Sequence, residues 1–118
     1  MLPIKPYLEN RPWGDFLEFT HNTPSTVKII TVKAGEALSL QSHKNREEFW
    51  HIISGEGTVE IGEKNESATK GKEFFVPKET KHRISTTNSE LVLLEIAFGQ
   101  FDENDIIRYE DKYNRNTQ

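Results

Sequence analysis

G-E-A-L-S-L-Q-S-H-K-N-R-E-E-F-W-H-I-I-S-G, residues 35–55, is the stretch on which the reading of this chain turns. Gln41 and His43 stand two apart in an apolar–polar alternation, and a strand places residues i and i+2 on one face. The polar run Lys44-Asn45-Arg46 reads as a turn, so Glu48 lies on the returning strand. His82 follows much later, behind a segment bounded by Gly71 and Pro77. Two imidazoles, one carboxylate and one amide oxygen form a donor set for one divalent metal ion. The chain has no cysteine, so the set is nitrogen and oxygen only, which suits Zn, Mn, Co, Ni or Fe. Glu47 competes with Glu48 for the carboxylate position. The spacing favours Glu48, because a slip of one residue turns the carboxylate to the opposite face.

Outward from that stretch, the chain reads as short strands between turns. Residues 1–12 carry three prolines and read as an extended arm. Residues 13–19 have strand character, and 21–25 are a turn cluster. Residues 26–33 are β-branched, with Lys28 on the same pleat face as Ile30 and Val32. Strands follow at 37–41, 47–54 and 58–61, with Gly55-Glu56-Gly57 as a tight turn and 63–69 as a polar hairpin. Residues 73–76, 81–87 and the most apolar segment, 91–98, complete the set. Turn signals every eight to twelve residues or so predict an all-β sandwich or barrel. The polar tail, 102–118, holds one apolar pair, Ile106-Ile107, and reads as a short strand with a helical turn.

Composition narrows the function classes. The chain of 118 residues is 34% hydrophobic and 29% charged, with a net charge of −4 and both signs interspersed. These values predict one domain and exclude a basic nucleic-acid footprint. The longest apolar run, residues 91–94, is too short to span a bilayer, and the N-terminus lacks a signal-peptide core. A cytoplasmic protein with no membrane partner is the expectation. His21 and His51 fit no motif and read as structural or surface groups. Trp13 and Trp50 read as core or wall aromatics, and Arg46 and Arg83 as surface charges.

Several motifs together resemble a known family. Gly35, Gln41-x-His43, Glu48 and Gly55 have the spacing of the first cupin motif, with Gln in place of its first His; Gly71, Pro77 and His82 have that of the second. Arg11-Pro12-Trp13-Gly14, Val27-Lys28, Arg46, Trp50, His82-Arg83 and the tail Asp105-Ile106-Ile107-Arg108-Tyr109-Glu110-Asp111-x-Tyr113-x-Arg115 resemble the C-terminal cupin domain of type II phosphomannose isomerases. The resemblance covers nearly the whole chain. It implies a single cupin over residues 1–118, a jelly-roll-like β-barrel with the metal held near one mouth by Gln41, His43, Glu48 and His82. It also implies interconversion of mannose 6-phosphate and fructose 6-phosphate, and a homodimer. The guanylyltransferase domain that often precedes this cupin has no counterpart here, so guanylyl transfer is not expected.

For such a reaction Arg108 and Lys28 are the expected cations for phosphate or oxyanion charge, and Lys28 or Glu110 the candidate base. Two other readings stay open: a non-catalytic cupin that binds a sugar or sugar nucleotide, and an isomerase or epimerase of another sugar. Four departures from the family pattern, at Lys44-Asn45, Phe49, Glu79 and Asn114, are expected at the rim of the barrel. None removes an expected metal ligand.

Overall fold

A computed structural model describes residues 5–113. Among these residues there is no helix, and so none long and apolar enough to cross a membrane. β1 (Tyr7–Arg11) and β2 (Gly14–Glu18) form a hairpin of their own. The other strands are β3 (Thr26–Val32), β4 (Leu40–Ser42), β5 (Arg46–Ile61), β6 (Lys64–Thr69), β7 (Glu73–Val76), β8 (His82–Ser85), β9 (Leu91–Gly99) and β10 (Ile107–Glu110). They pair antiparallel in the order β10-β4-β8-β5-β9-β3, with β6 and β7 also on β5. The all-β expectation holds. The hydrogen-bonded ladder ends at β10 and β3, however, so the walls face one another without closing into a continuous barrel.

β5 belongs to both walls. Its first half pairs with β9 and β7, its second half with β6 and β8. The tight turn expected at Gly55-Glu56-Gly57 is absent: one strand of 16 residues runs through it. The bend is made instead by a register shift between Ile52 and Ser54 and by Gly55, whose φ is +85°. A Cβ at Gly55 would lie 1.8 Å from the Glu90 carbonyl oxygen. Glycine is therefore required there by close approach as well as by φ.

The interior lies between the walls. Trp50, Ile52, Val59, Ile84, Leu91 and Leu93 are all buried in it. Odd-numbered residues of β9 point inward with Leu91 and Leu93, which carries Glu95 inward as well. On the outer face of β5 and β9, Phe49, Ile96 and Phe98 form a second cluster closed by Phe19, just past β2. His51 lies on that side too, its ring edge-on to Phe19 and Nδ1 2.7 Å from Glu73 Oε2, a structural role as expected.

Three sequence expectations need correction. From Tyr7 to Arg11 the N-terminal segment is not a free arm but a strand paired with β2, and Pro6 and Pro12 flank the paired register. Trp13 is at the hairpin tip and 72% exposed, so it is not a core residue. The tail makes no helical turn among the described residues. It adds β10 to β4, with Arg108 opposite Gln41. The family-pattern residues Asn114 and Arg115 lie outside the described residues.

One family departure has a local cost. Glu79, where the family pattern has glycine, holds φ at +62° while its backbone N–H donates to the His43 carbonyl at 2.7 Å. A side chain in the left-handed region is strained. Glu79→Gly is expected to stabilise the fold by about 1 kcal/mol, read as a rise in the urea midpoint at unchanged m. A lower midpoint would mean that the Glu79 side chain is itself stabilising.

Candidate metal centre

The pleat of β5 does most of the placement. Arg46, Glu48 and Trp50 alternate onto the inner face, while Glu47 stands opposite Phe98 on the outer side. Phe49 is also outward and fully buried in the second apolar cluster, so this departure is not at the rim, contrary to expectation. β8 sets His82 opposite Gln41 on β4 and Ile61 on β5. His43 follows directly after β4.

His43, Glu48 and His82 converge, all three buried, with one ligand atom from each lying within 4.8 Å of the others. His43 Nε2 is 3.3 Å from Glu48 Oε2, and His82 Nε2 is 3.9 Å from Glu48 Oε1. The far sides of both rings are fixed by the backbone. His43 Nδ1 lies 2.7 Å from the Asp105 carbonyl and His82 Nδ1 2.9 Å from the Thr80 carbonyl. A carbonyl only accepts, so each Nδ1 carries the proton and each Nε2 keeps its lone pair toward the cavity. Burial lowers the pKa of both imidazoles and keeps them neutral, the form that ligates a metal.

Glu48 is held at both oxygens. Trp50 Nε1 donates to Oε1 at 3.0 Å, and Arg46 Nε donates to Oε2 at 3.2 Å. Burial alone would raise its pKa. His82, a hydrogen bond with Glu95, His43 and Arg46 outweigh burial and keep it ionised. Glu95 takes the opposite course: burial, then the neighbouring Glu48 charge, push it up to about 8. At neutral pH the pair therefore shares one proton, carried on Glu95.

This set fits a divalent cation: two neutral imidazole nitrogens with oriented rings and one ionised carboxylate, all buried. Gln41 lines the same cavity. Its Nε2 donates to Ser39 Oγ at 2.9 Å and to the Ser39 carbonyl at 3.3 Å, which leaves the amide oxygen as its ligand atom. The Arg46 guanidinium lies against two of these groups, with Nη2 3.2 Å from His43 Nε2 and Nε 3.2 Å from Glu48 Oε2.

The cations expected at the site are both on the cavity wall. Lys28 reaches in from β3 and Arg108 from β10. Lys28 Nζ lies 3.2 Å from Glu103 Oε1 and 4.1 Å from the centre of the Phe101 ring. Glu110 does not line the cavity. Its exposed carboxylate pairs with Arg83 Nη1 at 3.1 Å, and Arg83 Nε pairs with Glu60 at 2.9 Å.

The sequence reading missed three contributors and misplaced one. Arg46 is a buried cation within the centre, not a surface charge. Its signal was present, since Arg46, Glu48 and Trp50 share one pleat face. Glu95 was legible by the same parity rule, as the one carboxylate among the inward residues of the most apolar strand. Phe101, which lines the cavity, had no signal, and Asp105 stood in the tail motif with no role attached to it. Asp105 caps the backbone N–H groups of Lys44 and Asn45 at 2.9 Å each, a loop-to-loop contact that strand periodicity does not reach.

Comparison with known proteins gives the family and the fold. Residues 7–111 match the family model described as "Mannose-6-phosphate isomerase C-terminal". The xanthan biosynthesis protein XanB of Xanthomonas campestris pv. campestris is 37% identical over 107 residues, covering 89% of this chain and 23% of that protein. A mannose-1-phosphate guanylyltransferase of Salmonella montevideo is 35% identical over 108 residues, 90% of this chain and 23% of the relative. The chain thus spans about a quarter of the length of these relatives. Among solved structures, a cupin protein of Bacteroides fragilis superposes with a TM-score of 0.57 at 19% identity, covering 73% of this chain and 88% of that one. The fold is an all-β cupin.

Proposed function

Since the chain belongs to the mannose-6-phosphate isomerase C-terminal family, we propose that it is a metal-dependent sugar-phosphate isomerase that interconverts mannose 6-phosphate and fructose 6-phosphate. The observation that carries this reading is the buried set His43, Glu48 and His82, of which Glu48 and His82 line a cavity that also holds Lys28 and Arg108. Metal ligands and anion-binding side chains around one cavity are what an aldose–ketose exchange on a phosphorylated sugar requires.

The reaction moves a proton between C2 and C1 through an enediolate, while the carbonyl moves the other way. A divalent cation held by His43, Glu48, His82 and Gln41 would polarise the carbonyl and offset the oxyanion charge. The chain's own residues do the rest. The Asp105 and Thr80 carbonyls fix the imidazole tautomers. Trp50 and Arg46 hold the Glu48 carboxylate in place. Lys28 and Arg108 bind phosphate charge, as a guanidinium fork and an ammonium both can. Lys28 is also within the cavity where a base is needed.

A coupled assay of protein loaded with Zn, Mn, Co or Ni, run against a panel of hexose 6-phosphates, tests this reading. Turnover of mannose 6-phosphate is expected. Sugar binding without turnover of any member would favour a non-catalytic sugar-binding cupin, and turnover of another member alone a different sugar. Arg108→Ala is expected to lower kcat/KM by roughly tenfold to thousandfold, the loss of one charged hydrogen-bonding group at about 1.4 kcal/mol per decade. Metal content should be unchanged, because Arg108 is not in the ligand set. Unchanged kcat/KM would remove Arg108 from the phosphate site and leave the isomerase reading intact.

A further inference from the structure

The cations on the cavity wall differ in what already engages them. Arg46 is buried, bonded to Glu48 and to His43, and its Nη1 donates to the Asp102 carbonyl. Arg83 is held by Glu60 and Glu110. Of these counter-ions, that of Lys28 stands furthest into solvent. The Lys28 side chain is 39% exposed, and that of Glu103, whose carboxylate faces it, is 79% exposed. Glu103 sits in the segment between β9 and β10. That segment is fastened from within: the Arg46 guanidinium and the Lys28 ammonium both lie against the Phe101 ring, at 4.2 and 4.1 Å, and the Asp105 carbonyl holds His43. The segment is thus tied to the centre at Phe101, Asp102 and Asp105, while Glu103 is the part that reaches across to Lys28 on β3.

Resting on the isomerase reading above, we propose that Glu103 is a displaceable counter-ion: its carboxylate occupies, on Lys28, the place that the substrate's phosphate takes. An exposed ion pair contributes little and is given up readily. A phosphate dianion brings more charge and three acceptor oxygens, and it wins the ammonium from a single carboxylate. A neutral sugar has no group with which to displace Glu103. The pair would then select for phosphorylated sugars over free ones, and it keeps Lys28 positioned by the Phe101 face until one arrives.

The test is calorimetric binding of inorganic phosphate, and separately of mannose 6-phosphate and mannose, to metal-loaded wild type, Glu103→Gln and Lys28→Met. Removing the competing carboxylate should tighten both phosphate ligands roughly two- to fivefold, the scale of an exposed ion pair, and leave mannose unchanged. Lys28→Met should weaken the phosphate ligands by about tenfold or more. If Glu103→Gln weakens phosphate binding, Glu103 closes over the ligand instead of yielding to it, and the proposal falls. It falls equally if mannose and phosphate respond alike, or if neither phosphate ligand responds to Glu103→Gln. Because binding is read, the outcome is separate from turnover. Tighter phosphate binding in a protein that isomerises nothing would keep the counter-ion and discard the isomerase.

Discussion

Glu48→Gln should cost at least about a hundredfold in divalent-metal affinity, while Glu47→Gln should leave affinity within about twofold. The two residues are neighbours, yet the pleat sends them to opposite faces. Glu48 lies between His43 Nε2 and His82 Nε2 at 3.3 and 3.9 Å, and it is the anionic donor of the set. Glu47 faces away, beside Phe98. The amide of a glutamine keeps the shape but brings no charge, and it leaves Arg46 buried without its carboxylate. His82→Ala should behave like Glu48→Gln, because it removes a neutral nitrogen donor from the set. Elemental analysis after dialysis against a metal buffer, with far-UV circular dichroism as a check on folding, reads both. Metal retained by folded Glu48→Gln and lost from Glu47→Gln would place the site on the other face of β5.

The largest effect on stability is expected at Gly55. Gly55→Ala puts a Cβ 1.8 Å from the Glu90 carbonyl oxygen and 2.9 Å from its carbon, at a φ of +85° that alanine rarely adopts. Both neighbours are backbone, so no side chain can swing aside. The strand either loses its Gly55–Leu91 pairing to β9 or straightens, and straightening separates the two walls that share β5. A loss of more than about 4 kcal/mol is expected, enough to abolish a cooperative transition in a small domain. A urea curve with a midpoint close to wild type would show that the bend tolerates a side chain and that the register shift alone makes it.

The metal-centre geometry explains why part of this protein is legible in its sequence. Period-two arguments work where one strand supplies the residues, as in Arg46, Glu48 and Trp50, or Lys28 with Ile30 and Val32. The spacing between Gln41-x-His43 and Glu48 is short enough that one turn joins them. His82 came from the resemblance to a second cupin motif, and β8 brings it opposite Gln41. The period-two signal was also present for Glu95, yet a carboxylate in an apolar strand suggests an exposed side until its parity is checked. What stayed hidden was tertiary. Whether Gly55-Glu56-Gly57 turns or merely bends depends on Glu90 approaching from a distant strand end. The role of residues 101–105 depends on loop contacts with Arg46, His43 and the 44–45 turn. Trp13 was misjudged because hydrophobicity says nothing of a hairpin tip that stands clear of the core.

The central claim is that the buried centre and its cavity carry out aldose–ketose isomerisation. Proton NMR of mannose 6-phosphate in D2O with metal-loaded protein tests it most directly. Fructose 6-phosphate is expected to appear, with solvent deuterium entering carbon-bound positions at C1 or C2, and His82→Ala is expected to abolish both signals. Mannose 6-phosphate left without conversion or exchange by protein carrying one metal per chain would contradict it.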